Sequence, residues 1–187
     1  MTNNKIRIFL SRPNPFTDNQ MYFIKKLKSV LNNLEIETIT LQAKDYSPYE
    51  SLTTLNEMIK RCYGMIILAF GHTYIRHGVL KLGSVERENF FASKEEHICD
   101  QWITSPFCQI EGAMAISNNI PIFIIKQENL KSDGILKEDG KISSVSNFSL
   151  ESTEKIDYFF EFVLIKKIYP WYNTVQKEFN KIEKKIT

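Results

Sequence analysis

The sequence lacks a long apolar run, a strong excess of either charge and the cysteine spacing of a zinc site. Its three cysteines, Cys62, Cys99 and Cys108, are odd in number and have no metal-like spacing, which favours a reduced, cytoplasmic protein. No apolar segment approaches the ~20 residues that a membrane-spanning helix needs. The 24 basic and 22 acidic side chains leave a net charge of +2, which argues against a nucleic acid or a membrane bound mainly by charge.

Glycine-rich phosphate-binding motifs are also absent. Neither G-x-G-x-x-G nor a Walker sequence occurs, which excludes a P-loop NTPase at the level of motifs. What remains is an ordinary globular composition. The 187 residues are 43% hydrophobic and 25% charged, which supplies enough apolar material for a sizeable core.

Apolar periodicity predicts strands and helices that alternate along most of the chain. Strands are expected at 5–10, 35–41, 64–70 and 120–125, and helices at 17–33, 51–62 and 105–118. The segments 64–70 and 120–125 are almost wholly apolar, as in central strands, whereas 35–41 alternates and is expected near a sheet edge. Thr17 and Gln20 have the spacing of a capping box. Alternation of this kind predicts a three-layer, flavodoxin-like α/β fold with a parallel sheet of order about 2-1-3-4, possibly with a fifth strand.

The remaining segments are expected to be loops and C-terminal helices. We expect 71–104 and 126–150 to be mostly loop, and helices at 153–167 and 171–185 with a break at Tyr169 and Pro170. The many apolar residues of these two helices indicate packing on the sheet or, alternatively, a partner or dimer surface. We therefore expect residues 1–150 to form the α/β domain and residues 151–187 a helical extension packed on it.

Ligands of an open parallel sheet bind beyond the carboxyl ends of its strands, where the strand order changes. This rule places the segments 11–16, 71–74 and 102–111 around one crevice. Ser105 is a suitable N-cap and Pro106 a suitable first residue for the helix that carries Glu111 in its second turn. Among small and apolar neighbours the pKa of Glu111 would rise and could be tuned for catalysis, whereas a solvated or ion-paired glutamate is the alternative.

Helical spacing divides this helix into two faces. The face expected to pack on the core carries Phe107, Ile110, Ala113 and Met114. The adjoining face carries Cys108, Glu111, Gly112 and Ala115. Gly112 and Ala115 would let backbone or a flat ligand approach closely. Cys108, in the first turn, could be an activated thiolate or simply a small buried residue.

Several further side chains near the crevice could contact a substrate. Arg12 could hold a phosphate or be an exposed arginine in a rigid turn, and Phe16 could stack on a base or staple the following helix. His72 could orient a substrate or move a proton, or be structural. The full set of predicted substrate contacts is Arg12, Asn14, Phe16, His72, Tyr74, Asp100, Trp102, Ser105 and Cys108, with Glu111 as the catalytic residue. No metal site is predicted, because the spacing of His97, Cys99 and Asp100 does not suit zinc.

The run S-P-F-C-Q-I-E-G-A-M-A, followed by I-P-I-F-I-I, resembles the glutamate helix of nucleoside 2-deoxyribosyltransferase-like and TIR-domain-like proteins. The resemblance covers roughly residues 5–126. It implies a flavodoxin-like fold and cleavage or transfer at an N-glycosidic bond. Glu111 would be the nucleophile or the anion that stabilises an oxocarbenium-like transition state.

The resemblance also implies a substrate and a setting. The substrate would be NAD, a related nucleotide or a nucleoside, without a cofactor, and the chain could form a homo-oligomer. A TIR-like bacterial protein of this size is expected in antiviral defence signalling. Two alternatives stay open: a nucleoside 2-deoxyribosyltransferase, and a non-catalytic module that binds a nucleotide or a protein. The 71–104 insert and the C-terminal helices depart from the family pattern, and Asp100 is the nearest candidate for a supporting acid.

Overall fold

A parallel sheet forms the centre of the protein in the computed structural model, which describes residues 5–41, 51–85, 94–137 and 143–186. The strands of this sheet are β1 (Ile6–Ser11), β2 (Ile36–Ile39), β3 (Gly64–Ala69), β6 (Ile122–Gln127) and β7 (Ser143–Phe148), and two further strands, β4 (Thr73–Leu80) and β5 (Glu96–Ile103), lie outside it. Its helices are α1 (Asp18–Asn33), α2 (Ser51–Lys60), α3 (Pro106–Ser117), α4 (Thr153–Tyr158) and α5 (Ile165–Ile186). A short 3-10 turn covers Gly134–Leu136, and a π-helical segment, Phe159–Leu164, joins α4 to α5.

The sheet has the order β2-β1-β3-β6-β7, and every pair in it is parallel. The predicted α/β fold and its strand order are therefore confirmed, with β7 as the fifth strand. β1 and β3 are neighbours, and their register pairs Ser11 with Ile67. Because the strands are parallel, the carboxyl ends of β1, β2 and β3 lie together at one edge of the sheet.

Burial follows from the position of each strand in the sheet. β3 is buried at every position, and β6 is buried as far as Lys126, because helices cover both faces. β2 lies at the edge of the sheet and is only partly buried, as its alternating sequence predicts. One core cluster, which includes Phe23, Phe123 and Trp171, fills the α1 and α5 face. A second, which includes Leu55 and Ile67, fills the α2 and α3 face.

The start of α1 shows how the sequence sets local structure. Thr17 Oγ1 accepts a hydrogen bond from the Gln20 amide at 3.2 Å, as the capping-box spacing predicts. The Gln20 side chain accepts from the Phe16 amide at 2.8 Å, one residue before the N-cap. Both bonds fix the loop after β1, which carries Arg12 and Asn14.

The prediction of loop at 71–104 is wrong for its described part, whereas in the described part of 126–150 one strand, β7, interrupts the loop; residues 86–93 and 138–142 lie outside the described residues. β4 and β5 form an antiparallel hairpin whose register pairs Tyr74 with Trp102 and His77 with Cys99. Half of its side chains are exposed and one is buried, so the hairpin lacks the apolar pattern by which buried strands are recognised. β7 was missed for a related reason, because hydroxyl and amide side chains fill much of its sequence, S-S-V-S-N-F.

The predicted break at Pro170 is also wrong, because α5 continues through it. A proline inside a helix costs about 3 kcal/mol, since it removes a hydrogen bond and clashes with the preceding turn. Burial of Ile168, Trp171 and Val175 against the sheet offsets this cost. The Trp171 indole also donates to the Pro121 carbonyl at 3.1 Å. The C-terminal helices therefore pack on the sheet, although Phe162 stays half exposed.

No helix within the described ranges combines the length and the apolarity that a membrane span requires.

We expect Trp171→Ala to lower the free energy of unfolding by about 3–5 kcal/mol, because it removes a fully buried ring. Tyr169→Ala is the matched control, since Tyr169 lies on the same helix but is 48% exposed, and its loss should stay within about 0.5 kcal/mol. Urea unfolding of both variants measures the difference. Equal, small losses would contradict the packing of α5 on the sheet.

Candidate functional site

A cavity of about 780 Å³ opens at the carboxyl ends of β1 and β2, beside the start of α3. This volume falls in the range of small-molecule sites. The cavity is lined by Leu10, Arg12, Pro13, Asn14, Phe16, Lys28, Thr38, Thr40, Leu41, His72, Ser105, Phe107 and Glu111. It lies where the strand order changes, as the sequence predicts for the crevice.

The helix that carries Glu111 begins as predicted. Ser105 is its N-cap and accepts from the Phe107 amide at 3.3 Å, and Pro106 is its first residue. Ser105 itself lies in the cavity wall. Glu111 is thereby fixed in the second turn, with its side chain at the crevice.

The predicted packing face of α3 is wrong. Phe107 and Ile110 are 36% and 37% exposed, whereas the buried residues are Cys108, Glu111, Gly112 and Ala115. A Cβ on Gly112 would lie 2.1 Å from Ile135 Cδ1 and 2.9 Å from Ile67 Cδ1. The small face packs on the sheet because only small side chains fit there, and this close approach outweighs the greater hydrophobicity of the other face.

Glu111 is a buried carboxyl group in a cavity wall. Its side chain is 5% exposed, and burial raises its pKa to about 7. The Ser11 hydroxyl opposes this shift, because it favours the carboxylate. Near neutral pH both protonation states are therefore accessible, which suits a group that reacts as an anion or exchanges a proton.

Three more buried polar side chains lie near this part of α3. Ser11, Thr104 and Cys108 are 1%, 4% and 1% exposed. The Ser11 and Thr104 hydroxyls both favour the Cys108 thiolate, which places them beside that thiol. Burial nevertheless raises the pKa of Cys108 to about 11, which favours the small buried cysteine over the alternative of an activated thiolate. Ser11 and Thr104 were not predicted, although strand alternation puts Ser11 on the same side of β1 as Phe9.

Basic side chains face the same cavity. Arg12 is half-buried, burial lowers its pKa, and its Nη1 donates to the Pro13 carbonyl at 3.1 Å. Its Nε is buried and makes no hydrogen bond to any described residue. His72 is exposed, with Nδ1 3.2 Å from Thr73 Oγ1. Lys28, on α1, also lines the cavity and was not predicted, because its sequence context is that of an ordinary surface lysine.

The predicted aromatic residues are divided between two places. Phe16 is 56% exposed and lines the main cavity. Its ring centroid is 6.4 Å from that of Trp102, which lines a smaller adjoining cavity of about 190 Å³. The Tyr74 hydroxyl donates to Asp100 Oδ1 at 2.7 Å across the hairpin.

The main cavity thus gathers part of the predicted set. Its wall contains Glu111, Arg12, Asn14, Phe16, His72 and Ser105. Tyr74, Asp100, Trp102 and Cys108 lie outside its lining. Within the described residues no three His, Cys, Asp or Glu side chains cluster as metal ligands would.

Distant likenesses to solved structures include a nucleotide N-glycosidase. The structure of Clostridium botulinum CMP N-glycosidase, BcmB, has 14% sequence identity and a TM-score of 0.46, with 82% of this chain and 96% of that chain covered. The crystal structure of a conserved protein from Enterococcus faecalis V583 has 9% identity and a TM-score of 0.41, with 86% and 77% covered. No protein-family model and no curated protein sequence matches this chain. The function therefore has to be argued from this chain's own residues.

The geometry defines what the site can do chemically. One carboxyl group sits in the cavity wall with Arg12, Lys28 and His72 around the same space. If these basic side chains bind the anionic group of a ligand, the atoms attached to that group lie in the cavity that Glu111 borders. A carboxylate in such a place can stabilise or attack a carbon that develops positive charge.

We expect Glu111→Gln to stabilise the protein at alkaline pH and to have little effect near pH 4. The folded protein holds the Glu111 proton more tightly than the unfolded chain does. Stability is therefore lost as the pH rises from the ordinary value of 4.5 through about 7. Glutamine has no charge to bury, so the variant should exceed wild type by up to about 3 kcal/mol above pH 8. Urea unfolding across this pH range measures the difference, and a difference that does not vary with pH would contradict the raised pKa.

Proposed function

We propose that the protein cleaves the ribose–base N-glycosidic bond of a nucleotide, with Glu111 as the nucleophile. The observation that carries this proposal is the Glu111 carboxyl group, which is buried in the wall of a cavity that also holds cationic side chains. The catalytic role of Glu111 remains the sequence-based prediction, and its burial and raised pKa support it.

The reaction needs a carboxylate beside the anomeric carbon. A Glu111 oxygen forms a bond to C1′ while the C1′–N bond breaks, and the base leaves with the electron pair of that bond. A base that leaves as an anion takes up a proton, whereas nicotinamide leaves as a neutral molecule. Water then attacks C1′, loses a proton and releases Glu111 as a carboxylate. Burial strengthens the attraction between the carboxylate and the positive charge that develops on the sugar.

The charges of the cavity favour a phosphorylated substrate over a free nucleoside. Arg12 and Lys28 both line the cavity. The guanidinium group of Arg12, half-buried in the cavity wall, carries donors that suit a phosphate oxygen. Phe16, which is largely exposed at the mouth of the cavity, supplies an apolar ring for the base.

The test is release of free base by the purified protein, followed by chromatography. The panel contains 5′-mononucleotides, NAD, nucleosides and deoxynucleosides offered with a second base. We expect release from a phosphorylated substrate, and a loss of about a thousandfold or more in Glu111→Gln. Glu161→Gln is the matched control, because Glu161 is exposed on the π-helical segment and should leave the rate unchanged.

Each outcome of this panel discriminates between the possible activities. Nicotinamide release would identify NAD as the substrate, and base exchange on a deoxynucleoside would identify a deoxyribosyltransferase. If wild type releases no base from any substrate, the proposal is contradicted. Nucleotide binding that survives Glu111→Gln without turnover in wild type would then indicate a binding module.

A further inference from the structure

We propose that Ser11 is a positioning residue for Glu111: its hydroxyl donates to the Glu111 carboxylate and holds it toward the anomeric carbon of the substrate. The catalytic part of this inference rests on the proposed function, whereas the contact itself can be tested without a substrate. Ser11 does not touch the cavity and acts through Glu111.

The fold places Ser11 beside the turn of α3 that carries Glu111. Ser11 ends β1 and is paired in register with Ile67 of β3. Ile67 is the residue whose Cδ1 would be 2.9 Å from a Cβ on Gly112, the next residue after Glu111. Strand alternation puts Ser11 on the same face as Phe9, which belongs to the core cluster under α2 and α3. Three elements, β1, β3 and α3, therefore place Ser11 next to the turn of α3 that carries Glu111.

The Ser11 hydroxyl is available for this bond. Its oxygen is buried and makes no hydrogen bond of ordinary geometry to a described residue. Buried hydroxyls in folded proteins are almost always bonded, so one without a partner beside a buried carboxyl group indicates a bond that forms when the carboxyl group ionises. A hydroxyl can rotate about its C–O bond to donate, and a carboxylate is a strong acceptor.

The electrostatics of the surroundings agree with this role. Burial and the Ser11 hydroxyl are the two influences on the Glu111 pKa among the described residues, and Ser11 acts to lower it. The other titratable groups that face Glu111 or its cavity are Arg12, Lys28, His72 and Cys108. None of these groups is among the causes of the shift in the Glu111 pKa. The change in this pKa on removal of the Ser11 hydroxyl should therefore be measurable without a competing effect of a neighbouring charge.

The variant Ser11→Ala removes a hydroxyl that makes no hydrogen bond to a described residue. The variant should therefore fold. Two readouts are compared with wild type. The first is the pH at which the extra stability of Glu111→Gln levels off, which reports the folded-state pKa of Glu111 and is called the midpoint below; urea unfolding measures it in the wild-type and Ser11→Ala backgrounds. The second is the pH dependence of kcat for base release. We expect both to move upward by about one pH unit, because the carboxylate loses a donor.

The expected kinetic result is a loss that depends on pH. At pH 6 the rate of Ser11→Ala should fall about tenfold relative to wild type, whereas at pH 9 it should stay within about twofold. KM should change little, because Ser11 lies outside the cavity lining. Ser11→Thr keeps the hydroxyl and should restore the wild-type midpoint, even if the added methyl group lowers stability.

Two controls separate positioning from a general effect of a lost buried hydroxyl. Ser146 is fully buried on β7, and its hydroxyl also makes no hydrogen bond to a described residue. Thr104 lies beside Cys108 and is not among the causes of the Glu111 shift. Ser146→Ala and Thr104→Val should therefore leave both readouts unchanged.

An unchanged or lower midpoint in Ser11→Ala, or an equal shift in Ser146→Ala, would overturn the inference. An unchanged midpoint in Ser11→Ala together with a uniform loss of kcat at every pH would show a merely structural role. If wild type releases no base at all, the proposed function fails, and the midpoint from unfolding still decides whether Ser11 bonds to Glu111.

Discussion

The close approach of α3 to the sheet is the constraint on which the rest of the site depends. Gly112 has no room for a side chain, because Ile135 and Ile67 occupy the space in which a Cβ would lie. The helix therefore turns its smallest residues inward and brings Glu111 with them. A larger residue in that position would force the side chains of Ile135 and Ile67, or the helix itself, to shift.

This packing explains the electrostatics of the site. Burial removes water from the Glu111 carboxyl group and raises its pKa, and the Ser11 hydroxyl partly reverses this effect. The same surroundings make Cys108 a poor nucleophile, because its thiol stays protonated at neutral pH. One arrangement of small residues thus raises the pKa of the carboxyl group to about 7 and keeps the thiol protonated at neutral pH. The ionised carboxylate lowers the stability of the fold, because its charge is buried.

Much of this organisation could be predicted from local sequence patterns. Strand order, the cap at Ser105 and the placement of Glu111 at the crevice depend on periodicity and capping, which act over a few residues. The packing face of α3 could not be predicted in this way. Phe107 is more hydrophobic than Gly112, yet Gly112 is the buried residue, because the short distance between helix and sheet leaves room only for small side chains. The exposed β4–β5 hairpin has no buried stripe to reveal it, and Pro170 is tolerated only because tertiary packing holds the helix. Lys28 reaches the cavity from another element, a contact that no local pattern records.

The most direct test of this account is the titration of the Glu111 side chain in the free protein. Carbon-13 NMR of the glutamate carboxyl groups, with the Glu111 resonance assigned by its absence in Glu111→Gln, follows this one group as the pH changes. The account predicts a midpoint near 7, because the packing of α3 on the sheet buries the carboxyl group. A midpoint at the ordinary value of 4.5 would show that Glu111 is solvated, and it would contradict the account of the site given above.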